Sequence, residues 1–311
     1  MILTVTPNPS VDRTVFIDAL TRGTVIRSRR SYSEPSGKGV NVSLALLRHG
    51  VPTLAVLPLG GPGGTQLFQM LQDAGLHTRP VTISGEVRSN VSLVEPDGVV
   101  TKVNEPGPEL TPEELQTMVQ TVVDNLHGAE WLACCGSLPP GAPVDLYADL
   151  TRRAHRAGVR VAVDTSGPPL EAALSAEPDL LKPNAHELAE LVGTPLNTQG
   201  DVVDAAAQVR DRGAGAVLAS LGADGAILVD DLGATHAECA VATVVSTVGA
   251  GDAMLAGFLA GGADRQKRIR TALQWGAAAV QHEGTLFDPD PTSDTVPVIS
   301  EVDRSRRLTE H

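Results

Sequence analysis

The stretch WLACCGSLPPGAPVDLYADLTRRAHRAGVRVAVD, residues 131–164, decides the fold. It opens on an apolar run, Trp131 to Cys135, and breaks at a turn rich in glycine and proline. A helical segment from Asp145 to Ala157 follows, then a second apolar run, Val159 to Asp164. Both runs are apolar on two faces, as strands covered by helices on either side must be. The same alternation extends outward. Ile2 to Thr6, Thr53 to Leu59, Ala216 to Ser220 and Ala226 to Val229 read as strands, and Val40 to His49, Thr65 to Gly75 and Asp201 to Arg212 read as helices. Thr111 to His127 is a further helix, opened by Thr111 as cap, Pro112 in the first turn and Glu114 three residues after the cap. The sequence thus predicts an α/β protein with a mostly parallel central sheet between two layers of helices.

Two segments break the alternation. Val11 to Pro35 lacks a helical period, and Val87 to Asn104 reads as a hairpin around Pro96-Asp97-Gly98. Paired in space, they predict a small antiparallel sheet projecting from the main body, and such a sheet needs a cover or a partner. The last 25 or so residues, rich in Asp, Pro and Ser, lose periodicity and are expected to form a loosely ordered tail.

The chain has 311 residues, 24 Lys+Arg against 37 Asp+Glu for a net charge of −13, 42% hydrophobic residues and 3% aromatic ones. At roughly 100–200 residues per domain, this length suits one large α/β domain or two small ones, with enough apolar residues to bury a substantial core. Acidity, the absence of long basic runs and the scarcity of aromatics argue against nucleic acid or an anionic membrane surface as partner. Three cysteines, two of them adjacent at Cys134 and Cys135, read as reduced packing residues, and the amino terminus carries no signal-peptide pattern, so the expected location is cytoplasmic. Ala240 to Ala263 carries a single charge, Asp252, but its five glycines and three hydroxyl residues argue against a membrane span. The histidines show no zinc-binding spacing.

STVGAGDAMLAGF, Ser246 to Phe258, carries the strongest chemical signal. Gly249-Ala250-Gly251 makes a tight turn into a helix whose first turn holds Asp252. First-turn N–H groups lack intrahelical acceptors and the helix dipole is positive there, so a phosphoryl group fits. A carboxylate beside that anion hole either complements the dipole or accepts the proton of an attacking hydroxyl. EPSGKGVNVSLAL, Glu34 to Leu46, sets Lys38 between Gly37 and Gly39 with Asn41 close behind. Lys38 is either a solvated loop lysine or the positive charge a sugar phosphate needs. Neither segment is a dinucleotide fingerprint or a P-loop: Met254 stands at the third glycine position of the first, and Tyr32 at the leading glycine position of the second.

Further polar groups follow strand ends, where open parallel sheets bind ligands. Asn8, Ser10 and Asp12 follow the first strand; Gly136-Ser137-Leu138-Pro139 and Asp164-Thr165-Ser166-Gly167 follow two others. In Lys182-Pro183-Asn184-Ala185-His186-Glu187, Asn184 and Glu187 lie three apart at a helix start, which is either a cap or a pair facing hydrated Mg²⁺. Ser220-Leu221-Gly222-Ala223-Asp224-Gly225 is either a hairpin turn or a flat slot for a nucleotide.

SGKGVNVSLALLRHG and STVGAGDAMLAGF, in this order and spacing, resemble the two signatures of the ribokinase-like (PfkB) carbohydrate kinases, with likeness from Thr6 to Gly276. TPNPSVDR, VRSNV, TKVNEPGP, CGSLPPG and KPNAHEL are most similar to the branch that phosphorylates fructose 1-phosphate. The resemblance implies a single ribokinase-like three-layer kinase domain over residues 1–311 with a β lid from about 11–35 and 87–104. It implies ATP and Mg²⁺ as cofactors and phosphorylation of fructose 1-phosphate to fructose 1,6-bisphosphate, with tagatose 6-phosphate or fructose 6-phosphate as the alternative acceptor.

Residue by residue, the resemblance makes Asp252 the base and Gly249, Ala250 and Gly251 the anion hole. It puts Asp12, Gly37, Lys38, Asn41, Asn104 and Ser137 around the sugar, and Lys38, Arg88 and Asn90 at its phosphate, with Arg27 reaching that phosphate from a second subunit. Lys182, Asn184, Glu187, Ser220, Gly222, Ala223, Asp224, Gly225 and Thr247 fall on the ATP side, with Glu187 and Asn184 toward the metal. It also implies a homodimer joined through the lid. Ser36 and Cys135 depart from the usual residues, and the segment after Phe258 is unusually basic.

Overall fold

The computed structural model describes residues 1–96, 98–241, 243–282, 284 and 297–309; Asp97 of the expected hairpin turn and residues 285–296 of the expected tail lie outside the described residues. In chain order the elements are β1 (Ile2–Val5), β2 (Ser10–Phe16), β3 (Arg30–Ser36), α1 (Lys38–Arg48), β4 (Thr53–Leu59), α2 (Gly61–Asp73), β5 (Thr78–Thr82), β6 (Arg88–Val94), β7 (Val100–Asn104), α3 (Pro112–Asp124), β8 (Trp131–Cys135), α4 (Leu146–Arg156) and β9 (Arg160–Asp164). They continue as α5 (Pro168–Ala173), β10 (Leu180–Leu181), α6 (Ala185–Val192), α7 (Gln199–Asp211), β11 (Val217–Ser220), β12 (Ala226–Asp230), β13 (Gly233–Glu238), α8 (Ala250–Ala260), α9 (Arg265–Ala279) and β14 (Val298–Ser300).

The main sheet has ten strands in the order β14-β13-β12-β11-β10-β9-β8-β1-β4-β5. From β5 to β11 neighbours run parallel, and β11 to β14 are antiparallel. Alternation along each strand divides the core. Leu3, Val5, Leu132, Val161 and Val163 face Met118, Leu146, Leu150, Leu188 and Val209 of one helical layer. Ile2, Trp131, Ala133 and Ala162 face Val42, Leu46, Leu255, Phe258 and Ile269 of the other. Each fully buried leucine or valine stabilises this arrangement by about 1.5–3 kcal/mol. The chain leaves β1 toward β4 on one side and returns to β8 on the other, so the crevice beyond the carboxyl ends of β1 and β8 is where such a sheet binds ligands.

The two irregular segments form a second, four-stranded sheet, β3-β2-β6-β7. Its outer pairs, β2 with β3 and β6 with β7, are antiparallel as expected, while the central pair, β2 with β6, is parallel because the two segments enter the sheet from the same end. The register sets Glu34, Asp12, Asn90 and Asn104 in one row across all four strands.

Three strands were not legible in the alternation. β5 carries Pro80 and Arg79 and survives because it is an edge strand, where a missing N–H is tolerated. β13 is more polar than an inner strand, and β14 is three residues long. The expectation of a loose tail fails for residues 297–309. β14 pairs with β13, Gln199 and Gly200 donate main-chain bonds to the carbonyls of Arg306 and Arg304, and Leu308 donates to that of Asn197. The basic segment is absorbed by the fold too: Arg265 pairs with Asp230 at 2.7 Å, and Arg268 lies over the Phe258 and Trp131 rings. No helix among the described residues is long and apolar enough to cross a membrane.

Candidate active site

Helix α8 starts on Gly249, whose φ of 79° lies in the left-handed region that a β-branched residue such as Val248 would strain to adopt. Gly249 offers no side-chain cap. Asp252, acidic and in the first turn, does not cap its own helix either; it is 7% exposed and its Oδ2 accepts a 2.7 Å hydrogen bond from Asn41 Nδ2 of α1. The sequence signal Gly249-Ala250-Gly251-Asp252 therefore yields an open helix start with a buried carboxylate beside it.

Helix α1 brings two more groups. It is capped by Gly37 at a φ of 125°, where a Cβ would stand 2.7 Å from Thr6 Cγ2. At Gly39 a Cβ would stand 2.4 Å from Thr6 Oγ1. The glycines around Lys38 are thus demanded by the close approach of α1 to the end of β1, rather than only by a ligand. That approach sends the Lys38 ammonium to Asp164 at the end of β9, with Nζ 2.6 Å from Oδ1. Lys182, just past β10, sets its Nζ 3.1 Å from Asp164 Oδ2. The same ammonium faces α8, since a methyl group on Gly251 would lie 3.2 Å from it.

Asp164 was visible in the sequence only as a polar residue at a strand end, with no assigned role. It is fully buried and joins the two lysines across the crevice. Burial works against its charge, but Lys182 and Lys38 outweigh burial and hold its carboxyl below the usual range. For Lys38, burial opposes the charge and Asp164, Glu187 and Asp252 outweigh it, so the ammonium is held protonated. Asp252 goes the other way: burial first, then the negative charge of Asp164, push its pKa up to about 6, against the pull of Lys38, the Asn41 hydrogen bond and Lys182. It is a carboxylate at neutral pH with more proton affinity than an exposed aspartate.

The second sheet supplies a polar row beside this cluster. Asp12 Oδ1 accepts from Ser10 Oγ at 2.6 Å and from Asn90 Nδ2 at 2.8 Å. Arg88 donates through Nη1 to the Glu105 carbonyl and through Nη2 to the Asn8 carbonyl, both at 3.0 Å, and burial lowers its pKa while Asp12 and Glu105 raise it. Asn8 Nδ2 reaches Pro106 O at 3.0 Å and Ser137 Oγ at 3.4 Å. Thr6 Oγ1, Asn8 Oδ1, Asn41 Oδ1, Asn90 Oδ1 and Arg88 Nε are buried without a hydrogen-bond partner. Unpaired buried polar atoms cost about 1–3 kcal/mol each, and those of Asn41, Arg88 and Asn90 belong to α1 and β6, which flank the crevice. Asn104 is exposed at the end of the row, and Arg27 is exposed on the connection 17–29 beyond the far end of β2, away from the other groups.

On the opposite flank, Ser220 N donates to Pro183 O at 3.0 Å, so the ends of β10 and β11 lie side by side. Asn184 is a cap: its Oδ1 accepts from Glu187 N at 2.8 Å and Glu187 Oε2 accepts from Asn184 N at 2.9 Å. Glu187 keeps Oε1 outside the cap, 3.8 Å from Lys38 Nζ. Gly222, Ala223 and Asp224 form a short 3₁₀ turn. A Cβ on Gly225 would stand 2.1 Å from Ala237 O, so that glycine serves the packing of β13. The Asp224 carboxylate points away from the crevice to Thr309 and Arg306. Thr247 is exposed just before α8. A cavity of about 510 Å³ lined by Met1, Leu47, Val51, His77 and Arg79 opens at the amino ends of β1, β4 and β5 and includes none of these groups.

The arrangement can hold an anion at the α8 start between two ammonium groups and take a proton at Asp252. The family described as pfkB family carbohydrate kinase matches residues 6–292. A 1-phosphofructokinase from Rhodobacter capsulatus is 38% identical over 296 residues, covering 93% of each chain. Among solved structures, the tetrameric inhibited form of phosphofructokinase-2 from Escherichia coli superposes with a TM-score of 0.85 at 32% identity, covering 90% of this chain and 94% of that one. The same enzyme in complex with fructose-6-phosphate gives 0.85 at 31% identity, covering 90% and 93%.

Proposed function

The chain belongs to the pfkB family of carbohydrate kinases, and from that premise we propose that it transfers the γ-phosphoryl group of ATP to the 6-hydroxyl of fructose 1-phosphate, giving fructose 1,6-bisphosphate and ADP. The observation that carries the reading is Asp252, a buried carboxylate with its pKa pushed up to about 6 beside a helix start that its own side chains leave open. Asp252 takes the hydroxyl proton as the sugar oxygen bonds to phosphorus and the bond to ADP breaks. The amides of Gly249, Ala250 and Gly251 and the Lys182 ammonium meet the charge on the transferring group. Lys38 spans the two substrates, with Arg88 and Asn90 toward the sugar's own phosphate and Asp12, Asn41, Asn104 and Ser137 toward its hydroxyls. Ser220 to Gly225 and Thr247 flank the nucleotide.

Mg²⁺ keeps most of its water and takes one or two carboxylates with substrate phosphates. Glu187 fits that demand through Oε1, the oxygen its cap leaves out, and fits it better than Asn184 Oδ1, which already gives one of its two lone pairs to Glu187 N. When bound, the ion would neutralise charge on the ATP oxygens.

Release of ADP from ATP in the presence of fructose 1-phosphate, fructose 6-phosphate or tagatose 6-phosphate tests the assignment. Turnover fastest with fructose 1-phosphate is the expected result, and no sugar-dependent ADP would overturn it. The fructose-6-phosphate complex of the phosphofructokinase-2 neighbour supports fructose 6-phosphate as the second acceptor to try. The same reading makes the four-stranded sheet a lid and joins two chains through it, which would cover Val100 and Val103, exposed on β7 at 47% and 57%, and bring the partner subunit's Arg27 to the sugar phosphate. A monomer by light scattering would contradict that assembly. The location that goes with this reading is the cytoplasm, where both ATP and sugar phosphates are at hand.

A further inference from the structure

The loop Ser220–Gly225 is closed by its own main chain, with Leu221 N donating to Gly225 O at 2.8 Å, Asp224 N to Leu221 O at 3.1 Å and Gly225 N to Gly222 O at 3.2 Å. Its one charged side chain, Asp224, is held from outside the loop, by the carboxyl-terminal segment. Asp224, 5% exposed, accepts at Oδ2 from Thr309 N at 2.7 Å and at Oδ1 from Thr309 Oγ1 at 3.2 Å. Arg306 places Nη2 3.6 Å from Asp224 Oδ1 and Nη1 2.8 Å from Glu238 Oε2, tying the loop to β13. His236 on β13 donates from Nε2 to the Asp224 carbonyl at 2.8 Å, with its Nδ1 3.3 Å from Ser300 Oγ on β14. The same segment is anchored independently where Gln199 N donates to Arg306 O at 2.9 Å and Leu308 N donates to Asn197 O at 2.9 Å, ahead of α7.

We propose that residues 300–309 are a positioning strap that sets the height of the nucleotide-side loop through Asp224, so that nucleotide affinity depends on a contact outside the crevice. The proposal rests on the reading of Ser220–Gly225 as that loop. The Asp224 side chain touches no substrate in this account; it positions, and the Gly222-Ala223 backbone does the facing. The strap thereby couples the end of the chain to ATP binding while leaving the sugar side untouched.

Thr309 is exposed, so Thr309→Pro removes both of its donors to Asp224, the main-chain N–H and Oγ1, without disturbing the core. Asp224→Ala removes the acceptor. Each variant is expected to raise the KM for ATP about tenfold, the factor that one misplaced charge-assisted hydrogen bond carries, with the sugar-phosphate KM moving less than about twofold. The double variant should be no worse than Asp224→Ala alone, because both act through one contact. Hydrogen exchange of residues 218–226 in the full-length chain, with and without a non-hydrolysable ATP analogue, separates the two claims. No protection by the analogue would remove the nucleotide-side reading of the loop and the strap with it. Protection, together with an ATP KM unchanged in both variants or effects that multiply in the double variant, would overturn the strap alone.

Discussion

Helices α6 and α8 both begin within reach of the two lysines that hold Asp164, and they treat their first turns in opposite ways. At α6 the sequence supplies Asn184 and Glu187, and the two close the helix start on itself as a reciprocal cap. At α8 the cap is Gly249, which has nothing to close with, and the only first-turn acid is turned aside to Asn41. A start closed in this way is scaffold, because its cap amide and its third amide are already bonded. An open one can serve as a site, because its dipole and the Gly249 and Gly251 amides are left for an anion, while Ala250 N makes one long bond to the Thr247 carbonyl at 3.4 Å. Asp252 can stand beside such an anion because its charge is balanced by Lys38 and Lys182, which Asp164 holds in place.

The comparison breaks most sharply at Asp252. Asp252→Asn keeps the shape and the helix start and removes the proton acceptor, so kcat should fall at least about 10²-fold with the KM for ATP little changed; near-normal turnover would make α8 no different from α6. Next comes Asp164→Asn, which leaves two buried ammonium groups without their shared counter-ion. Removing one member of a buried ionic cluster costs about 3–5 kcal/mol, to be read as lost stability in urea titration.

The pH profile gives a smaller effect. Asp252 must be ionised to accept a proton, so kcat/KM is full above its pKa of about 6 and falls as pH drops through that value. Asn41→Leu removes a hydrogen bond that favours the charged form, so the acid limb should move to higher pH. Substrate ionisations are common to both proteins, and the displacement between the two profiles reports Asp252. Smallest is Asn184→Ala, which should cost about 1 kcal/mol of stability by unfastening the α6 cap, with the Mg²⁺ requirement unchanged. A tenfold higher Mg²⁺ requirement would make Asn184 a ligand and α6 part of the site.

Much of this was legible in the sequence, and the reasons differ by region. The parallel core showed because its strands are apolar on both faces, and the α8 start showed because glycines and an acid at a helix boundary have few other uses. Asn41, Lys38 and Asp252 could be named from their motifs. What stayed hidden depends on pairing across long chain separations. Asp164 and Lys38 are 126 residues apart, and nothing local marks a strand-end aspartate as the counter-ion of two lysines. Asp224 looked like a slot residue because its partners, Arg306 and Thr309, lie in a stretch whose composition reads as disorder. Gly37 and Gly39 were recognised, but their reason, the contact with Thr6, needs the fold. Edge strands β5 and β14 lack the double-faced apolar pattern because half of each faces water.

The central claim is that the open start of α8 delivers phosphorus to a sugar hydroxyl rather than to water. ³¹P NMR of the products formed from ATP and fructose 1-phosphate tests it directly. The account predicts one new phosphomonoester per ADP, at the 6-position of fructose 1,6-bisphosphate, and almost none with Asp252→Asn; ADP accompanied by inorganic phosphate, or bisphosphate formed as fast by the variant, would contradict it.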